Sequence, residues 1–330
     1  MGAGGTQNAL RQRVWAAALA AGDGLRLRDV TTAHDGVAVP KQYCSLWGDR
    51  SLLETALVRA QRVVARERVC TIVAAQHRQW WKDLLWPLRA SNTIVHPVDR
   101  GTGVSVLQAV LHILERDPDA RILLLPADHH VEQEPVLTQA IRSALAYASA
   151  HDDAVVLLGL KPEDADTDTE LGYIVPGPAV EPGALTVDEF VEKPSPVRAA
   201  SLVLRGALWN AFIVAASGRA LLQLYAHRHG DAVKAMRELR DRAAAAGDGD
   251  AAGVVAAFVE LPVIDFSRDV LQGAERRLRV LPVPCCGWID IGTPHTLAKA
   301  VGRAGAAQPP VPPERHAVIN LAQRYQTLAG

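Results

Sequence analysis

Charge of one sign is missing from this chain. Across 330 residues, 35 Lys and Arg stand against 36 Asp and Glu, a formal net charge of −1. No long run of Lys or Arg occurs, whereas sequence-independent nucleic-acid binding needs a concentrated basic surface; that class is set aside. Long hydrophobic runs are missing too. None reaches the ~18 residues needed to span a bilayer, so no membrane partner is expected. The opening stretch MGAGGTQNALRQRVW lacks the basic-then-apolar plan of a signal peptide, and the expected location is the cytoplasm. Cysteine is scarce: Cys44, Cys70, Cys285 and Cys286. The adjacent pair cannot form an ordinary unstrained disulfide with itself, and no spacing suits a metal. Buried or inert thiols in a reducing compartment are the expectation. No internal repeat occurs. What is present, 49% hydrophobic and 22% charged residues, is an ordinary globular composition.

The first half alternates short apolar runs with longer amphipathic ones. Residues 14–20, 69–75, 121–126 and 154–160 read as strands buried on both faces, and 51–66, 76–88, 103–116 and 135–150 as helices between them. The order predicts an α/β fold, a Rossmann-like, doubly wound and mostly parallel sheet, with a smaller C-terminal element. Ligands of such sheets bind beyond the carboxyl ends of the strands. After about residue 164 the rhythm changes. Short strands are expected at 172–175, 185–191, 212–215 and 277–283, Ala-rich helices at 218–257 with a loop at 243–253, and a helix near 295–303. A Pro-rich linker at 306–314 precedes a segment, 315–328, readable as a docking helix or a frayed tail. The expected division is one large domain over 1–305, with halves at about 14–163 and 164–305, and a linker and tail over 306–330.

Two segments carry most of the chemistry. LLLPADHH, residues 123–130, and GWIDIG, residues 287–292, each place one carboxylate, Asp128 and Asp290, just past an apolar run. Two such carboxylates from distant parts of a chain can hold one divalent ion that clamps phosphate. The plain alternative is that Asp128 caps a helix and Asp290 shapes a turn. His129 and His130 lack a third ligand at zinc spacing. In LAAGDGLRL, residues 19–27, Gly22 and Gly24 permit a tight turn with N–H groups directed at phosphate, and Arg26 adds a fixed charge. PKQY places Lys41 and Gln42 before a helix. VEKP offers Glu192 for sugar hydroxyls and Lys193 for a phosphate, or else a surface ion pair. Asn210, after Trp209, suits a sugar contact or a helix end.

In order, these segments resemble the mannose-1-phosphate guanylyltransferases, also called GDP-mannose pyrophosphorylases, from about residue 14 to 301. The opening motif LAGGxGTRLWPL is met at Leu19, Ala20, Gly22, Gly24, Arg26 and Leu27. PKQ is Pro40, Lys41 and Gln42, and GDxSLL is Gly48, Asp49, Ser51, Leu52 and Leu53. ExxxRxTAPA is met at Arg100 and Thr102, and LPADH is 125–129. GYGYI is met at Gly172, Tyr173 and Ile174, F-x-EKP at Phe190, Glu192, Lys193 and Pro194, WN at Trp209 and Asn210, and GWSDVG at Gly287, Trp288, Asp290 and Gly292. The departures are Ala21 for Gly, Leu25 for Thr, Arg28 for Trp, His96 for Glu, Gly103 and Val104 for Ala and Pro, Glu170 for the first Gly of GYGYI, and Phe212 for the Gly after WN. They fall mainly in segments contacting base and sugar.

The resemblance implies transfer of GMP from GTP to mannose 1-phosphate or a related sugar 1-phosphate, giving a nucleotide-sugar and pyrophosphate. It assigns catalysis to Arg26, Lys41, Asp128, Lys193 and Asp290, and nucleotide contacts to Ala20, Ala21, Gly22, Gly24, Gln42, Arg100 and Thr102. Sugar-phosphate contacts fall to Gly172, Glu192, Lys193 and Asn210. Mg²⁺, or another divalent cation, is expected on Asp128 and Asp290. Short members of the family imply a homodimer. The rivals are the same reaction with another base or sugar (dTTP with glucose 1-phosphate, or a heptose phosphate), a silent nucleotide-sugar-binding regulator, and a dinucleotide-dependent oxidoreductase, which has no use for the paired Asp residues.

Overall fold

The computed structural model describes residues 13–33, 36–48, 50–85, 88–162, 167–246, 250–303 and 319–329. Asp49, the centre of the Ala-rich tract and the Pro-rich linker lie outside them. The all-apolar run VWAAALA forms β1 (Val14–Ala20). Because strand side chains alternate between faces, Trp15 and Ala17 enter one core while Ala16, Ala18 and Ala20 enter a second on the other side of the sheet. Ser51 caps α1 (Leu52–Gln61) in a capping box, its hydroxyl accepting from Glu54 N while the Glu54 carboxylate accepts from Ser51 N at 2.8 Å. There follow β2 (Val69–Ala74), β3 (Thr93–His96), α2 (Gly101–Leu114), β4 (Arg121–Pro126), β5 (His129–His130), α3 (Glu134–Ala150) and β6 (Val155–Leu160). Helices α1 and α3 bury their apolar faces in the core of Ala16, Ala18 and Ala20 and α2 in that of Trp15 and Ala17, so both faces of the sheet are covered as the alternation predicts.

The second half supplies β7 (Gly172–Glu181), β8 (Ala184–Glu192), α4 (Pro196–Leu204), β9 (Leu208–Ser217), α5 (Gly218–Ala226), α6 (Gly230–Ala246), α7 (Ala251–Val259), β10 (Leu278–Val283), β11 (Ile289–Asp290), α8 (Pro294–Arg303) and α9 (Leu321–Ala329). Nine strands form one sheet in the order β3-β2-β1-β4-β9-β6-β10-β8-β7. The neighbours β3, β2, β1 and β4 are parallel, β6 and β10 run the same way, and β9 and β8 run against them. The two halves of the chain therefore share one sheet, β9 being laid between β4 and β6.

Two expectations need correction, and one strand was not foreseen. The helix expected at 76–88 reduces, among the described residues, to a 3-10 turn, Ala75–His77, and one α turn, Arg78–Trp81. The Trp81 indole N–H donates back to the Ala74 carbonyl at 2.8 Å, folding the segment onto the end of β2. Strand β3, with only two apolar residues, lay within an unassigned stretch. Asn210 ends no helix; it lies inside β9. The final segment is a docked helix: Ser45 N donates to the Ile319 carbonyl at 3.0 Å, Leu321 N to the Ser45 carbonyl at 2.8 Å, and Leu321 is fully buried.

Candidate active site

The Gly-rich turn leaves the carboxyl end of β1. Gly24 has φ +63°, in the left-handed region, and a Cβ there would lie 3.1 Å from Lys41 Cγ. The turn thus passes directly over the lysine. Gln42 is buried beneath it, its amide donating to the carbonyls of Ala20 at 2.9 Å and Gly22 at 2.7 Å. Asp23 is held from the other side by Gln76 and His77, each 3.1 Å from its Oδ1.

Asp128 follows β4, and Asp290 belongs to a two-residue antiparallel ribbon in which β11 pairs with β5, Asp290 opposite His129. Ile291 N donates to the Asp128 carbonyl at 3.2 Å, locking the two segments together. Lys41 Nζ lies 2.8 Å from Asp128 Oδ2 and 3.9 Å from Asp290 Oδ1, and donates to the Ile291 carbonyl at 2.8 Å. Burial opposes the charge on Lys41, but Asp128 and Asp290 outweigh it and raise its pKa. Burial likewise opposes ionisation of Asp128, and Lys41 and His129 overcome it, holding the carboxyl below its ordinary range.

Ligand atoms of Asp128, His129 and Asp290 lie within 4.8 Å of one another. Asp290 Oδ1 is buried without a hydrogen-bond partner, an orphaned acceptor that a cation would satisfy. The carboxylates therefore fit a hard divalent ion. His129 has a different part. The Trp288 indole N–H, which can only donate, bonds His129 Nδ1 at 3.1 Å. Burial lowers the His129 pKa despite the two carboxylates. In the neutral ring the proton therefore sits on Nε2, which lies 3.7 Å from Asp128 Oδ1 and 3.9 Å from Asp290 Oδ1. His129 turns this N–H toward the carboxylates, beyond hydrogen-bond distance of either, and does not offer a lone pair to a metal.

Across the cleft, Lys193 directly follows β8 with φ 47° and Phe212 sits in β9 with φ 52°, both in the left-handed region that favours glycine. Between Leu157 and Gly159 the pairing of β6 with β9 shifts register, and Phe212 N donates to Asn210 Oδ1 at 3.1 Å. This irregularity turns Asn210 into the cleft. Glu192 is pushed up to about 7 by burial first and by Asp265 second, with Lys193 and Arg268 opposing.

The cleft, about 370 Å³, is lined by Ala21, Gly22 and Arg26 on one side, Gly172, Glu192, Lys193 and Asn210 on the other, and Thr102, Asp128 and Asp290 between. Ala20, Gly24, Gln42, Arg100 and Lys41 do not line it. The first three build the turn, and Arg100 precedes α2 with its carbonyl accepting from Ile264 N at 3.1 Å. Sequence reasoning missed Asp99, Ser105, Glu170, Asp265 and Ser267, which also line the cleft. Asp265 caps, and Ser267 belongs to, a π-helical turn, Phe266–Leu271, which Thr102 anchors by accepting from Phe266 N at 2.9 Å. No spacing in the sequence signals such a turn. Glu170 was visible only as a departure from a motif. A larger hollow of about 740 Å³ lies beside Trp209 and Pro282–Cys286, but no carboxylate among the described residues lines it.

Fold and site together define an α/β protein with a paired-carboxylate, cation-flanked cleft at the carboxyl edge of its parallel strands. The chain belongs to the nucleotidyl transferase family, whose family model matches residues 16–304. It is similar to a mannose-1-phosphate guanylyltransferase of Escherichia coli K12, 30% identical over 298 residues covering 86% of this chain and 59% of that protein. An Escherichia coli protein of the same name is 34% identical over 177 residues, 52% of this chain and 36% of its own length. The chain thus spans roughly a third to three fifths of these curated relatives. Among solved structures it resembles a Thermus thermophilus protein described as a mannose-1-phosphate geranyltransferase, with a TM-score of 0.70 and 28% identity, covering 85% of this chain and 76% of that one.

Proposed function

We propose that this chain transfers GMP from GTP to mannose 1-phosphate or a related sugar 1-phosphate. An oxygen of the sugar phosphate attacks the α-phosphorus, and the bond to the β-phosphate breaks, releasing pyrophosphate. The observation that carries this reading is the convergence of Asp128, Asp290 and Lys41 at one strand edge, with Arg26 and Lys193 on the two sides of the cleft that the carboxylates line. The attacking group is already an anion, so no general base is required. Repulsion between anions and misalignment are the barrier, and fixed positive groups lower it.

Asp128 and Asp290 would hold Mg²⁺, which when bound neutralises phosphate oxygens. Arg26 and Lys41 bind the triphosphate and the departing pyrophosphate. Lys193 holds the acceptor phosphate in line, and Gly172, Glu192 and Asn210 fix the sugar. Residues 14–163 serve the nucleotide and 164–305 the sugar phosphate, and the chain works as a homodimer in the cytoplasm, where its four free thiols stay reduced. Cys44 is no nucleophile: it is fully buried and its thiol is pushed up to about 12 by burial.

A panel of nucleoside triphosphates crossed with sugar 1-phosphates, read by released pyrophosphate, tests the reading. GTP with mannose 1-phosphate should exceed other pairs, and Asp128→Asn or Asp290→Asn should cut turnover at least a hundredfold, on the order of 3 kcal/mol or more of barrier. Turnover retained by both Asn variants, or pyrophosphate from no pair, overturns it. Binding without turnover supports the second reading, a silent nucleotide-sugar sensor, favoured by the carboxylate of Glu170 lying on the cations of the cleft.

A further inference from the structure

Arg26 and Lys193 belong to opposite sides of the cleft, yet one oxygen joins them. Glu170 Oε2 forms an ion pair with Arg26 Nη1 and lies 3.6 Å from Lys193 Nζ. Glu170 is also the residue that departs from the glycine of the GYGYI motif, so its side chain is an addition to the site. We propose that Glu170 is an internal anion that occupies the meeting point of the two phosphate-binding cations and is displaced by a dianionic phosphate group. The inference rests on the reading of Arg26 and Lys193 as phosphate ligands.

The surroundings suit a displaceable group. The backbone of Glu170 is anchored, its N–H donating to Asp168 Oδ1 at 2.8 Å, while the Tyr173 hydroxyl donates to the Asp168 carbonyl at 2.9 Å. The side chain is 46% exposed, against 49% for Arg26 and 37% for Lys193. The carboxylate can therefore leave through its own torsions, into water, without unfolding the turn. Half-exposed ion pairs are weak because solvent screens them. A phosphate brings more charge and several acceptor oxygens, and its bonds to guanidinium and ammonium are correspondingly stronger. The same balance makes Glu170 a selector. A neutral sugar gives the cations nothing in exchange, and a monoanion only matches what it displaces. Only a ligand carrying two charges to this point gains on binding. That is the chemistry of a sugar 1-phosphate or of the terminal phosphates of a nucleotide.

The test is binding of inorganic pyrophosphate by calorimetry, with chelator present so that no metal contributes, to the full chain and to Glu170→Gln. The variant should bind roughly threefold to tenfold more tightly, a factor matching the loss of one or two screened ion pairs. Adding Lys193→Ala should remove most of that gain, since the two residues act through one contact. Asp119→Asn, which breaks an exposed pairing with Arg13 and Arg219 remote from the cleft, should leave affinity as it is. Affinity that is unchanged, weaker or undetectable in Glu170→Gln overturns the inference, as does a gain that survives Lys193→Ala. If Glu170 merely braced its turn, the variant would bind more weakly and melt at a lower temperature. The assay needs no turnover, so a failed substrate panel and a failed Glu170 experiment are distinguishable.

Discussion

At the scale of single residues, the departures from the family motifs acquire physical content. Phe212 stands where a glycine is usual and holds φ 52°. A non-glycine residue in that region costs roughly 1–2 kcal/mol, and contact with Phe266, centroids 5.8 Å apart, offsets part of it. Phe212→Ala and Phe212→Gly lose the same packing, but only Gly relieves the backbone. The Gly variant should be the more stable of the two by about 1 kcal/mol, measured by denaturant midpoint; an Ala variant as stable as Gly would contradict the strained backbone. Gly103 is another departure with a reason: its N–H donates to Ile264 O at 2.7 Å, and a Cβ would lie 2.4 Å from Ile264 Cγ2. Glu192 yields a pH dependence. Burial pushes its carboxyl up to about 7, so below that pH it is neutral and above it adds negative charge beside Lys193, where the acceptor phosphate is proposed to bind. The KM for sugar 1-phosphate should rise as pH climbs through 7, and Glu192→Gln should flatten that rise relative to the parent. The linked stability runs the same way. A carboxyl raised from 4.5 to about 7 on folding stabilises the fold at low pH, and this contribution is lost as pH rises from 4.5 through 7.

At the scale of elements, the shortest one governs the site. The β5–β11 ribbon brings two carboxylates together and presents Trp288 to His129. Trp288→Phe keeps the ring and deletes the donor, freeing His129 to turn its lone pair toward the carboxylates. Residues that orient a metal's ligands commonly change metal affinity or activity by 10–100-fold, so the Mg²⁺ needed for half-maximal turnover should rise about tenfold with little change in melting temperature. An unaltered Mg²⁺ titration would falsify the orienting role. Much of this was legible in the sequence. Apolar runs announced β1, β2, β4 and β6, and the ordered motifs picked out Asp128 and Asp290, which the fold brings together beside Lys41. A two-residue ribbon has no periodicity to read, and β3 has too few apolar residues to form a pattern. Gln42 shows another limit: the motif gives its importance but not its task, which is to bond the carbonyls of the Gly-rich turn from below. The π-helical turn was invisible because tertiary anchors, Thr102 among them, select it.

At the scale of the whole molecule, distant parts of the chain hold one another in place. Helix α9 brackets Ser45, four residues beyond Lys41, and the Arg324 guanidinium donates to the Thr32 carbonyl at 3.1 Å. Deleting residues 319–330 exposes the surface that Leu321 and Ala322 cover. Burial of an aliphatic side chain of this size is worth roughly 1.5–3 kcal/mol. The truncated chain should melt several degrees lower and lose turnover more steeply than stability, because the loop holding Lys41 loosens; truncation without effect on either would make α9 a passenger. The Trp288–His129 bond carries a further consequence. It spans 159 residues, so on a chain emerging from the ribosome the parallel core of β1 to β4 can form long before its carboxylate partner exists. Contacts of such separation form late. Asp128 then waits beside Lys41 until GWIDIG arrives, and the proposed metal site is complete only once Asp290 has been made. In refolding, recovery of tight Mg²⁺ binding should lag behind recovery of secondary structure.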